Sequence, residues 1–196
     1  QIENKINNIK NKNLILFLNS PNNPSGTVCK NLKEIAEVAK KNKLIILSDE
    51  IYSHLTFENN YKSISNFYPQ GTIVSTGLSK WCGAGGWRLG FFAIPDNLKD
   101  IRNFLKILAS ESFSSVSAPV QYAAIKAYSE DHSQYLINSR KILEFISNYV
   151  FYELIDVGIK CQKPHRCFGK CSGLWHDFSA YGPLEKKVFG DSIGMP

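Results

Sequence analysis

Apolar positions follow two different periods along this chain. Leu14–Leu18 and Leu44–Leu47 are uninterrupted apolar runs, each ending in polar residues, and runs this short and uniform predict strands buried on both faces. Two further strands are predicted at Thr72–Thr76 and Leu89–Ile94, the second stopped by Pro95. Between the first two, Asn31–Lys43 carries Leu32, Ile35, Ala36, Val38 and Ala39 at helical spacing. Beyond Pro95 the period is helical throughout. Leu98, Ile101, Phe104, Leu105 and Leu108 mark one helix and Val120–Tyr128 a second. Asp131–Leu154 forms a long third, with Tyr135, Leu136, Ile142, Leu143 and Ile146 on its apolar side. Ile2, Ile6 and Ile9 show the same spacing within the Asn- and Lys-rich opening, and Asn19–Gly26, with Pro21, Pro24 and Gly26, is the strongest turn signal. Strands separated by helices or long loops predict an α/β fold, a mainly parallel sheet sandwiched by helices.

Composition narrows the class. The chain has 196 residues, 43% hydrophobic and 20% charged, which excludes a mostly disordered protein and fits one domain or two small ones. No apolar run is long enough to cross a bilayer, and the polar stretch Gln1–Lys12 has no secretory apolar region. The first residue is Gln1 rather than Met. The net charge of +6 comes from scattered lysines, several on one helix face, with no arginine-rich run, so no nucleic-acid partner is expected. Five cysteines, an odd number, point to free thiols in a reducing compartment and hence to a cytoplasmic location.

In parallel sheets ligands bind beyond the carboxyl ends of the strands. The residues at those ends are Asn23, Asp49, Tyr52 and Lys80, with Arg88 at the mouth of the fourth strand. A lysine amine forms an imine with an aldehyde. A carboxylate holds a cationic ring nitrogen, a tyrosine hydroxyl reaches a neighbouring oxygen, and a guanidinium pairs with phosphate. Asn23 lies in a loop shaped by Pro21 and Pro24, and glycines between Lys80 and Arg88 let backbone approach a ligand. Each residue alone also reads as turn, core or surface chemistry. Together they match pyridoxal phosphate, with its aldehyde, ring nitrogen, phenolic oxygen and phosphate.

The segment Gly77-Leu78-Ser79-Lys80-Trp81-Cys82-Gly83-Ala84-Gly85-Gly86-Trp87-Arg88-Leu89-Gly90 resembles the pyridoxal-lysine signature of class I/II aminotransferases. Asn22-Asn23-Pro24-Ser25-Gly26 resembles the family's Asn-Pro-x-Gly loop, and Asp49-Glu50-Ile51-Tyr52 its Asp-x-x-Tyr segment, in family order. The likeness runs to about Lys160. It implies an aspartate-aminotransferase-like large domain, incomplete, over 1–130, and over 131–196 a long linking helix with the start of a small C-terminal domain. It also implies a catalytic Lys80 bonded to pyridoxal 5'-phosphate, which moves the substrate proton. Asp49 would stand at the ring nitrogen, Tyr52 and Asn23 at the phenolic oxygen and Arg88 at the phosphate. The implied reaction moves an amino group between an L-amino acid and a 2-oxo acid, in a homodimer, with no membrane partner.

The chain departs from the family pattern in three places. Gly77 stands where many members carry a phosphate-binding serine, and whether Ser75 or Ser79 takes its place is left open by the sequence. Family subunits are considerably longer on both sides of the motifs, so the chain resembles the middle of an aminotransferase. Cys161–Pro196 is irregular where a small-domain strand should open, and only Leu174–Tyr181 is family-like. A zinc reading of Cys161, His165, Cys167, Cys171 and His176 competes there, but no Cys-x2-Cys pair is present, so no metal is expected. The alternatives are a truncated, catalytically incompetent remnant, a fold-related pyridoxal enzyme such as a β-lyase, or an aminotransferase-like module of a longer regulator.

Overall fold

The computed structural model describes residues 2–7, 14–58, 61–161 and 163. Four strands, β1 (Ile15–Asn19), β2 (Ile45–Asp49), β3 (Thr72–Gly77) and β4 (Gly90–Ala93), form one sheet in the order β1-β2-β3-β4. The first three are parallel; β4 returns antiparallel to β3. The helices are α1 (Ile2–Asn7), α2 (Leu32–Lys41), α3 (Lys99–Ser112), α4 (Ala118–Ser129) and α5 (Ser133–Asp156). The mainly parallel sheet and the order of the elements agree with the sequence pattern, and the boundaries differ by a few residues.

Among the described residues the two faces of β1 differ. Register places Ile15, Phe17 and Asn19 beside Ile45, Leu47 and Asp49 on one face, and Leu16 and Leu18 beside Ile46 and Ser48 on the other. The second face is a true core. The buried Leu32, Ala36 and Ala39 of α2 pack with Leu44, Ile46 and Ile64, and Leu14, Leu16 and Leu18 join from the side. Glu34 in the first turn of α2, and Lys40 and Lys41 in its last, suit the helix dipole. On the first face Ile15 and Phe17 stay 65% and 61% exposed, so the uniform apolar run of β1 serves one core only.

A second core lies beyond the strand ends. It joins Tyr52, Leu55, Leu78, Trp81, Ala84 and Leu89 to Ala124 of α4, with Leu136 and Leu143 of α5 against it. The α3 helix contributes no buried residue, and its Phe104, Ile107 and Leu108 face outward. No helix among the described residues is long and apolar enough to cross a membrane. Of the expected second domain, α5 is described and residues beyond 163 lie outside the described set, as do Ile9 and the segment Leu174–Tyr181.

Candidate active site

The first face of the sheet opens into a cleft of about 670 Å³ at the carboxyl ends of β1 and β2. Phe17, Asn19, Asn22, Asn23, Asp49, Ile51, Tyr52 and Lys80 line it. Four of the five residues expected from sequence therefore meet in one place, carried there by three different segments.

Asp49 is the last residue of β2. The Asn19 side-chain amide donates from Nδ2 to Asp49 Oδ2 at 2.8 Å, and the Ile51 backbone N–H donates to Asp49 Oδ1 at 3.3 Å. Asn23 is exposed on the loop after β1, whose Ser20–Pro21 and Asn23–Pro24 bonds are both cis. That loop is tied down from within. Asn22 Oδ1 accepts from the Ser25 backbone N–H at 3.1 Å and from Ser25 Oγ at 2.6 Å, and the Gly26 N–H donates to the Asn22 carbonyl at 2.9 Å.

Lys80 follows β3, with its Nζ 5.5 Å from the centroid of the Tyr52 ring. Its neighbour Trp81 anchors it. Trp81 is 5% exposed, meets Tyr128 edge-on at 5.6 Å between centroids and stands 5.7 Å from both His54 and His132. Burial and the nearby Arg140 guanidinium hold His54 below the ordinary imidazole range. Tyr52 is buried, 8% exposed, and also borders the cleft.

Arg88 stands apart from the lining of the cleft. It ends the short 3-10 turn Gly85–Trp87 in a left-handed conformation, φ 54°, and its exposed guanidinium donates from Nη1 to the Gly85 carbonyl at 2.7 Å. Asn19, which no sequence signal singled out, is in the cleft and bonded to Asp49. Its signal was positional: it is the first polar residue after an apolar run, as Asp49 nearly is after the next.

Among the described residues no group of three or more His, Cys, Asp or Glu side chains is placed to hold a metal. Cys161 is described and free, while the other four residues of the zinc reading lie outside the described set. Cys29 and Cys82 are also free thiols.

An amine, a carboxylate, a phenol and a side-chain amide converge at the carboxyl end of a parallel sheet. That donor set fits pyridoxal phosphate. The profile of the family "Aminotransferase class I and II" matches residues 1–180, and the chain belongs to that family. It is 35% identical over 160 residues to an aspartate aminotransferase of Geobacillus stearothermophilus, covering 78% of this chain and 40% of the relative. It is 33% identical over 201 residues to a probable aspartate aminotransferase of Methanocaldococcus jannaschii, covering 94% of this chain and 50% of that one. The fold matches the aspartate aminotransferase of Thermus thermophilus solved with maleate, with a TM-score of 0.77 at 26% identity, over 85% of this chain and 44% of that one. The chain thus spans about half the length, or less, of the relatives it matches, and its fold is a partial aspartate-aminotransferase-like one.

Proposed function

We propose that this chain is the cofactor-lysine portion of a pyridoxal-phosphate-dependent aminotransferase that moves an amino group between an L-amino acid and a 2-oxo acid. The observation that carries the reading is the convergence of Lys80, Asp49, Tyr52 and Asn23 on one cleft. Family membership and the names of relatives support amino transfer over β-elimination, since those relatives are called aspartate, aromatic-amino-acid and N-acetyl-LL-diaminopimelate aminotransferases. The spread of those names supports no narrower substrate than the two classes given. By the same likeness the whole protein works as a homodimer, and the odd number of cysteines supports a reducing, cytoplasmic compartment. Residues 1–130 belong to its cofactor-binding domain, and 131–196 hold a linking helix and the start of the small domain.

The cofactor, when bound, supplies an electron sink for the bond broken at the amino acid's α carbon. The chain supplies the rest. The Asp49 carboxylate, oriented by Asn19, would stand at the ring nitrogen. Tyr52 and Asn23, both lining the cleft, would hold the ring oxygen. Lys80 Nζ, seated beside Tyr52 and next to the buried Trp81, would hold the cofactor and move the substrate proton. Arg88, whose guanidinium donates to the Gly85 carbonyl, would hold the phosphate.

The test is borohydride reduction of the protein bearing this chain in the presence of pyridoxal 5'-phosphate, followed by peptide mapping. A single pyridoxyl group on Lys80 is the expected result. Label dispersed over the surface lysines overturns the assignment.

A further inference from the structure

We infer that Asn19 is a positioning residue that couples the ring-nitrogen acid to the loop carrying Asn23, so that the two sides of the cofactor ring are held by one side chain. This rests on the functional reading above and adds a residue to it.

The register of the sheet sets the geometry. Asn19 and Asp49 are the last residues of neighbouring parallel strands and are directly paired, so both side chains leave the same face at the same height. The Asn19 amide makes three hydrogen bonds among the described residues. Its Nδ2 donates to Asp49 Oδ2 at 2.8 Å. Its Oδ1 accepts from the Asn23 backbone N–H at 2.9 Å and from Asn22 Nδ2 at 2.9 Å, filling both lone pairs.

The orientation of this amide follows from its partners. A backbone N–H is only a donor, so the group facing Asn23 must be the carbonyl oxygen, and the NH₂ is left facing Asp49. The nearest alternatives do not reproduce this pair of contacts. Aspartate would keep the acceptor but set a second carboxylate against Asp49. Serine or alanine would leave the Asn23 N–H and Asp49 Oδ2 apart. Glutamine, one methylene longer, would displace one partner or the other.

The consequence is functional rather than merely local. Among the described residues Asp49 Oδ1 receives only a long bond of 3.3 Å from the Ile51 N–H, so the Asn19 amide is the closer of the two restraints on how the carboxylate is turned. The same amide holds the backbone of Asn23. A change at residue 19 therefore alters both ring contacts together, although Asn19 itself need touch neither reacting atom.

The experiment uses Asn19→Ala and Asn19→Asp in the protein bearing this chain. Three quantities are read: cofactor labelling at Lys80 after borohydride, kcat and KM for the amino donor, and the pH midpoint of the bound cofactor's visible absorption. In Asn19→Ala we expect Lys80 labelling to persist, kcat to fall about 10- to 100-fold, as for loss of a hydrogen bond to a charged group, and the spectral midpoint to move. In Asn19→Asp the two facing carboxylates repel at high pH and share a proton at low pH. Its kcat relative to wild type should therefore recover as the pH falls.

A residue that only braced the loop would lower thermal stability and cofactor retention, leave the spectral midpoint in place, and give Asn19→Asp a pH-independent loss. That pattern overturns the inference. Normal kcat and an unmoved midpoint in both variants, with Lys80 labelled, also overturns it while the functional reading stands. Absence of Lys80 labelling in the wild-type protein instead removes the functional reading and the inference with it.

Discussion

Gly77 stands where the family resemblance places a phosphate-binding serine, and restoring that serine should harm this protein. Gly77 ends β3 and pairs with Gly90, the first residue of β4. A Cβ at position 77 would lie 2.6 Å from the Leu89 carbonyl oxygen and 2.8 Å from Gly90 Cα, both backbone atoms that no rotamer change can move. Leu89 would have to retreat by the better part of an ångström. Its carbonyl accepts the Leu78 N–H at 3.3 Å, and both leucines belong to the core that seats Trp81. Overpacking of this kind costs about 1–3 kcal/mol, and loosening the Leu78 bond adds about 1 kcal/mol. The lower entropy of the unfolded alanine chain returns about 0.4–1 kcal/mol. The net loss is roughly 1–3 kcal/mol, equivalent to a fall of about 2–10 °C in melting temperature for a protein of this size. Gly77→Ala measures the steric cost, and Gly77→Ser minus Gly77→Ala isolates the hydroxyl. Thermal melts without cofactor, alongside a fluorescence titration with pyridoxal 5'-phosphate, separate stability from binding. Gly90→Ala is the milder control, since its Cβ would meet only the Thr76 carbonyl oxygen, at 3.2 Å. If Gly77→Ala melts with the wild-type protein, the close approach of β3 and β4 is not rigid and the reasoning fails.

The remaining predictions concern charge. Asp49→Ala should lower kcat by on the order of 10²–10³-fold while cofactor affinity falls far less, because the carboxylate acts where charge develops; kcat measured against cofactor Kd decides it, and normal turnover with weak retention would refute the role. Tyr61 predicts an alkaline limb in stability. Burial, followed by the nearby Glu50 carboxylate, raises the Tyr61 phenol above its ordinary value. An acid with a raised folded pKa gives stability that is complete below the unfolded value near 10 and declines as the pH climbs above it. Tyr61→Phe should flatten that decline in urea unfolding between neutral and alkaline pH. It should also cost about 1 kcal/mol at pH 7, since the Tyr61 hydroxyl donates to the Ser20 carbonyl at 3.0 Å. An unchanged alkaline limb would show that Tyr61 ionises freely in the folded protein.

Much of this was legible in the sequence because the chemistry sits at element boundaries. Apolar runs marked β1 and β2, and the polar residues just past them marked Asn23 and Asp49. What pattern could not supply was register. Asn19 read as the first residue of a turn, and only the pairing of β1 with β2 shows it level with Asp49. Direction was hidden as well: the predicted strand 89–94 looked like any other apolar run, and its antiparallel sense depends on the chain reversing through the short turn Gly85–Trp87 without a crossover helix. The glycine spacing before Arg88 suggested a flexible approach to phosphate. The backbone there takes a left-handed turn, and the guanidinium folds back on Gly85. Uniform apolarity in β1 implied two-sided burial, and nothing in five residues could tell a covered face from the wall of a cleft.

The adjacent acids Asp49 and Glu50 show how one strand end divides two roles. Asp49 reaches the cleft and its Oδ2 is met by Asn19. Glu50, one residue on, is 5% exposed and accepts at Oε1 from Ser48 Oγ at 2.9 Å and from Ser63 Oγ at 2.6 Å. A buried carboxylate without such donors would be strongly destabilising, so the serines are what make Glu50 tolerable beneath the sheet. Its own backbone N–H donates to the Ser75 carbonyl of β3 at 2.9 Å, continuing the pairing of β2 with β3 one residue past the strand. Ser48 lies on the face of β2 that packs with α2, and Asp49 on the face that opens to the cleft. The buried acid thus braces the strand end from below while the half-buried one serves the site above. Strand alternation, not composition, decides which of the two carboxylates is free to meet a ligand.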